Sequence, residues 1–335
     1  MQFGGATLEE VLRYYDLGGA WELVGPGGGT GNLNLVLRSS RGRLFFRRRH
    51  PSYSSPEQVG YEHALMRHLA AKGVGGPLPV ETRDGQTAVS LNSGVYELQH
   101  FVEGTPFDPG RLDQLRGAAH GLAEFHAATE EFVPPVPKDL PRYDDPKATG
   151  AGFASLLPQA TEQQVGGIRR ILAVVARLER EFPDRAYGAL PHGLIHGDYH
   201  PGNVLFRGSR VVGIFDLDWA SRQPRVRDLS DGIYYFGARR PAAINGADIR
   251  SLNQGVAYDI PRARAFLDAY RERRKVAERE IEALPLVGMA RWLFARVAGM
   301  RKVPEGERVG FALRDTLVPI EWLGEHGREL VEALL

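Results

Sequence analysis

One segment constrains this chain more than any other. It reads Leu194-Ile195-His196-Gly197-Asp198-Tyr199-His200-Pro201-Gly202-Asn203-Val204-Leu205-Phe206, and thirteen residues beyond Asn203 comes Asp216, inside Val212-Gly213-Ile214-Phe215-Asp216-Leu217-Asp218-Trp219-Ala220. Gly193, Gly197, Pro201 and Gly202 exclude a helix here. The segment reads instead as an apolar strand running into a polar loop. A short hairpin then turns at Arg207-Gly208-Ser209 and presents an aspartate cluster. His192, His196 and His200 are spaced by four, but that spacing gathers metal ligands only on a helix, so a histidine metal site is rejected.

The order Asp198, Asn203, Asp216 suits phosphoryl transfer. That reaction asks the protein to hold a hydroxyl in line and to neutralise charge on the phosphates. Asp198 is placed to orient the hydroxyl or take its proton. Asn203 and Asp216 offer the hard oxygen ligands that magnesium prefers. Asp218 either assists with the metal or caps the turn.

His196-x-Asp198-x-x-x-x-Asn203 has the layout of a kinase catalytic loop. With the following Phe-Asp-Leu-Asp-Trp-Ala, the string resembles the aminoglycoside phosphotransferase superfamily, which includes choline, homoserine and methylthioribose kinases. The resemblance is densest over 194–232 and collinear over 21–129. It implies an α+β fold of the two-lobed protein-kinase-like type. An N-terminal antiparallel sheet with one packed helix (1–102) would bind nucleotide, and a larger helical lobe (103–335) would carry the catalytic loop and acceptor site. It also implies ATP and Mg2+ as cofactors. The implied catalytic set is Asp198, with His196 supporting the loop and His200 structural or near the phosphate. The implied metal ligands are Asn203 and Asp216, with Asp218 beside them. Asp228, in Arg225-Val226-Arg227-Asp228-Leu229, resembles the family's buried aspartate that braces the loop.

The N-terminal pattern supports this frame. Trp21 to Val24 and Leu33 to Leu37 read as strands around Gly25-Pro26-Gly27-Gly28-Gly29-Thr30-Gly31, and Leu44 to Arg47 starts a third. The glycine cluster fits neither the Walker pattern nor Gly-x-Gly-x-x-Gly. Upstream of the catalytic string it resembles the family's nucleotide loop, with Gly28, Gly29, Thr30, Gly31 and Asn32 against phosphate. A basic residue on the next strand should pair with a glutamate on the following helix. Arg47 and Glu62 occupy those places, with Arg48 or Arg49 and Glu57 as alternatives. Val95 to Gly104 resembles the hinge, so an adenine would use backbone groups near Gln99 to Phe101, with Leu205 and Ile214 beneath it.

Ser55, Pro56 and Gln58 mark the start of a helix whose stripe includes Val59, Leu65, Met66 and Leu69. Thr87 to Leu91 and Val95 to Leu98 are further strands. Residues 8–16, 111–128, 161–182, 227–237, 261–283, 286–300 and 309–334 have helical periodicity, and 130–150 reads as a loop.

At 335 residues the chain has room for two cores. The formal net charge of +1 gives no argument for nucleic acid. There is no cysteine, which excludes disulfides, thiolate metal sites and a cysteine nucleophile. The N-terminus lacks a signal-peptide pattern and no stretch is apolar enough to cross a membrane, so the expected location is the cytoplasm. The expected partner is a small-molecule hydroxyl acceptor. A protein Ser/Thr kinase lacks support, since there is no Ala-Pro-Glu motif and no long segment after Asp216. A non-catalytic nucleotide binder would be expected to have lost one of Asp198, Asn203 and Asp216. Arg291, Arg296 and Arg301, with Trp292 and Phe294 between, read either as ordinary helix charges or as a site for an acceptor bearing a carboxylate, such as homoserine.

Overall fold

A computed structural model describes all of the chain except Met1, Gly4, Gly5, Gly29, Thr30, Asp139 and Pro141; for Gln2 and Phe3 it describes the backbone. The chain opens with the two-residue strands β1 (Gln2–Phe3) and β2 (Ala6–Thr7) and the short helix α1 (Leu8–Leu12). Then come β3 (Trp21–Pro26), β4 (Leu33–Ser39), β5 (Gly42–Arg48), α2 (Pro56–Ala71), β6 (Val89–Leu91) and β7 (Gly94–His100). Strands β3 to β7 form one antiparallel sheet in the order β3-β4-β5-β7-β6.

Strand alternation divides this sheet into an apolar and a polar face. Leu35, Leu37, Leu44, Phe46, Tyr96 and Leu98 are buried with Leu8, Val11, Leu12 and Tyr15 of the N-terminal segment in a small core. The opposite face carries Asn34, Arg47 and Glu97, which the register sets side by side: Asn34 opposes Arg47, and Arg47 opposes Glu97. Helix α2 starts as its sequence signals, with the Ser55 hydroxyl accepting from the Gln58 N–H and Pro56 in the first turn. Its Tyr61, Leu65, Met66 and Leu69 join the larger core, while Glu62 and His63 on the same helix are buried toward the sheet.

The remainder is mainly helical, with α3 (Leu112–Ala128), α4 (Pro146–Ala154), α5 (Glu162–Glu181) and α6 (Asp184–Gly188). Two hairpin-like pairs follow. Strand β8 (His192–Ile195) pairs with β11 (Ser221–Pro224), enclosing the pair β9 (Val204–Arg207) and β10 (Arg210–Ile214). The closing helices are α7 (Val226–Gly237), α8 (Ile249–Leu252), α9 (Ile260–Arg271), α10 (Glu278–Met300), α11 (Arg308–Leu313) and α12 (Leu317–Leu334). The fold is the two-lobed α+β arrangement expected. Among the described residues, no helix is long and apolar enough to cross a membrane.

Three helix boundaries differ from the periodicity. The expected helix over 261–283 stops at Arg271, and α10 starts at Glu278 and runs through Pro285. A proline costs a helix one N–H and crowds one carbonyl, but here packing of α10 against α7 and α12 outweighs it. The expected helix over 309–334 breaks at Arg314 to Thr316, where Asp315 adopts φ +53°. The carbonyls freed there are taken by α10: Trp292 Nε1 donates to Thr316 O at 2.9 Å, and the Arg296 guanidinium donates to Phe311 O and Arg314 O. The expected loop over 130–150 ends in α4, whose Asp145 side chain caps the N–H groups of Lys147 and Ala148.

Candidate active site

The loop between β8 and β9 is held from behind by Asp228, near the start of α7. Its carboxylate accepts from the His196 N–H at 2.7 Å and the Gly197 N–H at 2.9 Å, and faces His126 Nε2 of α3 at 2.9 Å. Burial would raise the Asp228 pKa, but the hydrogen bond from His126, helped by the one from the Gly197 N–H, holds it below its ordinary value. Gly197 sits at φ +82°, and a Cβ there would lie 2.7 Å from Trp219 O, so the position excludes a side chain on two counts.

His196 is fully buried. Its Nδ1 accepts from the Asp198 N–H at 3.2 Å, which places the ring proton on Nε2, where it donates to Phe215 O at 2.8 Å. Burial pushes its pKa down, consistent with a neutral ring. Both ring nitrogens of His196 are thus spent on backbone groups of the loop and of Phe215. His200 is also buried. Its Nδ1 accepts from the Gly202 N–H at 3.0 Å, and its Nε2 stands 3.4 Å from Asp198 Oδ2.

Asp198 keeps its side chain 29% exposed at the end of this scaffold. Burial acts to raise its pKa, but His200 and Arg291 outweigh burial and hold it well below the usual carboxylate range. Asn203 donates through Nδ2 to the Asp198 carbonyl at 3.0 Å, which turns its oxygen away from the loop. Asp216 follows β10 with φ +63° and ψ +69°, a left-handed conformation that non-glycine residues adopt mainly where surrounding structure imposes it. Its pKa is pushed up to about 6 by burial and by Asp218, against the pull of Arg47. Among the described residues, Oδ1 of Asp216 and Oδ1 of Asp218 are buried without a hydrogen-bond partner.

The polar face of the N-terminal sheet carries a buried ionic network. The expected pair Arg47–Glu62 is not formed. Glu62 is paired with Arg49, which also donates to Glu97 Oε2 at 2.9 Å and to Tyr53 O at 2.7 Å, and lies 3.5 Å from Asp218. Arg47 and Arg49 are two apart, so they share a face; the second lies two residues nearer the α2 end, where Glu62 stands. Glu97 is further held by His63 Nε2 at 2.9 Å and by the Gln99 amide at 2.8 Å. These partners, Arg49 first, keep its pKa low against burial. Arg47 lies 3.8 Å from Glu97, and its Nε and Nη1 have no hydrogen-bond partner among the described residues.

Of the expected nucleotide loop, Gly29 and Thr30 lie outside the described residues. Gly28 has φ +76°, and its carbonyl accepts from Asn34 Nδ2 at 2.6 Å. Gly31 is open on its Cβ side, and the Asn32 side chain accepts from the His50 N–H at 2.8 Å. At the expected hinge, the Gln99 side chain turns into the ionic network. The N–H groups of His100 and Phe101 are engaged by Leu78 O at 2.8 Å and Arg43 O at 3.3 Å. Arg43 also stacks on the Phe101 ring at 3.9 Å. Leu205 lies against Gly104 and Ile214 against Gly76, in the seam between the lobes.

Several residues around the site were not anticipated. Lys138 donates to Asp218 O at 2.7 Å, and Tyr143, Trp219 and Phe294 form a ring cluster beside the aspartates. His63, Glu97 and His126 each stood out in sequence only as a polar residue in an apolar run. Arg291 of α10 reaches Asp198, whereas Arg296 is spent on backbone carbonyls and Arg301 is exposed at the helix end.

The arrangement can hold a hydroxyl at Asp198 beside a place for phosphates. Asn203, Asp216 and Asp218 fit a metal of magnesium's preferences: one amide oxygen and two carboxylates, with one oxygen on each aspartate that makes no hydrogen bond among the described residues. No cluster of three or more acidic, histidine or cysteine ligands occurs among the described residues.

Residues 22–270 match the phosphotransferase enzyme family. A homoserine kinase of Rhodopseudomonas palustris (strain HaA2) is 29% identical over 310 residues, covering 90% of this chain and 86% of that protein. The fold is similar to that of a microcompartment-associated aminopropanol kinase (TM-score 0.64, 17% identity, 95% of this chain and 97% of that one). It is also similar to an amicoumacin kinase solved in complex with AMP-PNP and Ca2+ (TM-score 0.62, 12% identity, 92% of this chain and 88% of that one).

Proposed function

Because the chain belongs to the phosphotransferase enzyme family, we propose that it is a kinase that moves the γ-phosphate of ATP, with magnesium, to the hydroxyl of a homoserine-like amino acid. The observation that carries this reading is Asp216 Oδ1, a buried carboxylate oxygen with no hydrogen bond among the described residues, in the field of Arg47, whose Nε and Nη1 also have none. Orphaned buried polar groups are costly, and opposite orphans facing one space suit a ligand that brings both metal and phosphate. The family relative named a homoserine kinase supports the acceptor class, and the AMP-PNP complex of a fold relative supports the nucleotide.

In this reading Gly28, Gly31 and Asn32 lie against the phosphates and Arg47 supplies a guanidinium edge without hydrogen bonds to them. Arg49 is already saturated and serves as the brace that links Glu62, Glu97 and Asp218. Asn203 and Asp216, with Asp218 adjoining, would hold the metal, which when bound supplies charge neutralisation on the phosphates. Asp198 orients the acceptor hydroxyl and receives its proton as the bond from that oxygen to phosphorus forms. The bond to the bridging oxygen breaks and ADP leaves with the electron pair. Leu205 and Ile214 lie under the nucleotide base.

The test is ADP release by purified protein against a panel of homoserine, 3-aminopropan-1-ol, choline and aminoglycosides. The expected result is acceptor-dependent release that is greatest with homoserine. Nucleotide binding without acceptor-dependent release across the panel would overturn the proposal.

A further inference from the structure

Arg291 lies on α10, far in sequence from the catalytic loop, yet it grips the carboxylate that the reaction uses. Its terminal Nη2 donates to Asp198 Oδ1 at 3.0 Å, and its Nε donates to Asp231 Oδ2 of α7 at 3.0 Å. The side chains of Arg291 and Asp231 are almost fully buried. The other oxygen of Asp198 faces His200 at 3.4 Å. A carboxylate engaged on both oxygens is a poor acceptor for a hydroxyl proton, because each donor occupies a lone pair and lowers its proton affinity.

A second guanidinium, Arg227, also acts on Asp231. Arg227 is fully buried, its nearest carboxylate is Asp144 at 3.8 Å, and none of its nitrogens has a hydrogen-bond partner among the described residues. Both oxygens of Asp144 are likewise unbonded there. Phe294 lies under Arg291 at 5.7 Å and packs with Trp219 and Tyr143.

We propose that Arg291 is the anchor for a carboxylate on the acceptor. The guanidinium is already desolvated and already paired, so trading Asp198 for a substrate carboxylate replaces one charge-assisted hydrogen bond by another. The trade frees Asp198 Oδ1 for the acceptor hydroxyl. An acceptor without a carboxylate offers Arg291 nothing, and Asp198 stays masked. Specificity thus rests on unmasking the proton acceptor as well as on binding. This inference rests on the proposed phosphoryl transfer to an amino-acid hydroxyl.

The test compares homoserine with homoserine amide and with 3-aminopropan-1-ol, which is homoserine lacking its carboxylate. Steady-state kinetics are measured on the parent, Arg291→Lys and Arg291→Gln. The parent should favour homoserine over both neutral analogues. Arg291→Gln should lower kcat/KM for homoserine by roughly 10- to 150-fold, the range for losing a hydrogen bond to a charged group, largely through KM. Because it also removes the donor that masks Asp198, it should raise turnover of 3-aminopropan-1-ol, so that the preference collapses. Arg291→Lys should fall between. Equal losses on all acceptors would reduce Arg291 to a positioning residue and overturn the inference. So would a parent that does not distinguish homoserine from its amide, and this comparison needs no variant to fold. Calorimetry of homoserine binding in the presence of AMP-PNP and magnesium separates the two proposals. If homoserine binds the parent but not Arg291→Gln while no ADP forms, the anchor stands and the reaction fails; if homoserine does not bind the parent, the anchor falls too.

Discussion

Asp228→Asn tests how the catalytic loop is held. The carboxylate accepts three hydrogen bonds, from His196 N at 2.7 Å, Gly197 N at 2.9 Å and His126 Nε2 at 2.9 Å. An amide has one oxygen. Whichever way it turns, its NH2 faces at least one backbone N–H, and that buried donor is left unsatisfied. A hydrogen bond to a charged group contributes about 1.5–3 kcal/mol. Losing one or two predicts destabilisation of about 2–5 kcal/mol, a large part of the total stability of an ordinary domain. The loop that carries Asp198 would also shift, and a displacement of about 1 Å at a reacting group can cost on the order of a hundredfold in rate. Differential scanning fluorimetry and ADP release, measured on the same preparation, read both effects. The expected result is a melting temperature lower by several degrees and a kcat lower by about a hundredfold. A variant with unchanged melting and kcat would show that Asp228 does not hold this loop.

Asp216→Ala and Asn203→Ala should remain folded but lose magnesium-dependent turnover by roughly a hundredfold or more; near-normal turnover in Asp216→Ala would place the metal elsewhere. His126 and His196 both have pKa values lowered by burial, so the unfolded chain binds protons that the folded one does not. Their contribution to stability is whole above the unfolded value of about 6.5 and is lost as pH falls below it, by up to about 1.4 kcal/mol per pH unit per histidine. Melting temperature should therefore drop between pH 7.5 and 5.5, and a flat profile would contradict neutral, buried rings.

The catalytic loop was legible because its chemistry lies in one contiguous string, where spacing alone sets Asp198, Asn203 and Asp216 around a turn. The N-terminal network was less so. Arg47 and Arg49 share a strand face, and choosing between them for Glu62 needs the position of α2 along the sheet, which is a tertiary fact. Glu97 and His63 complete that network from a different strand and a helix, and each shows in sequence only as a polar residue where burial would favour an apolar one. Arg291 was visible as a charge near Trp292 and Phe294, but so were Arg296 and Arg301. Only the break at Arg314 to Thr316, whose carbonyls capture Arg296, separates them. Pro285 reads as a helix boundary on propensity, and packing of α10 overrides it.

Asp198→Asn isolates the proposed role of Asp198 in orienting the acceptor hydroxyl and taking its proton. The substitution keeps shape and one accepting oxygen while removing the charge. Isothermal titration with ATP analogue and magnesium, alongside ADP release with homoserine, separates binding from turnover. Nucleotide affinity should stay close to the parent's and turnover should fall by roughly two orders of magnitude or more, the range of a lost general base. Unchanged turnover in Asp198→Asn would contradict that role.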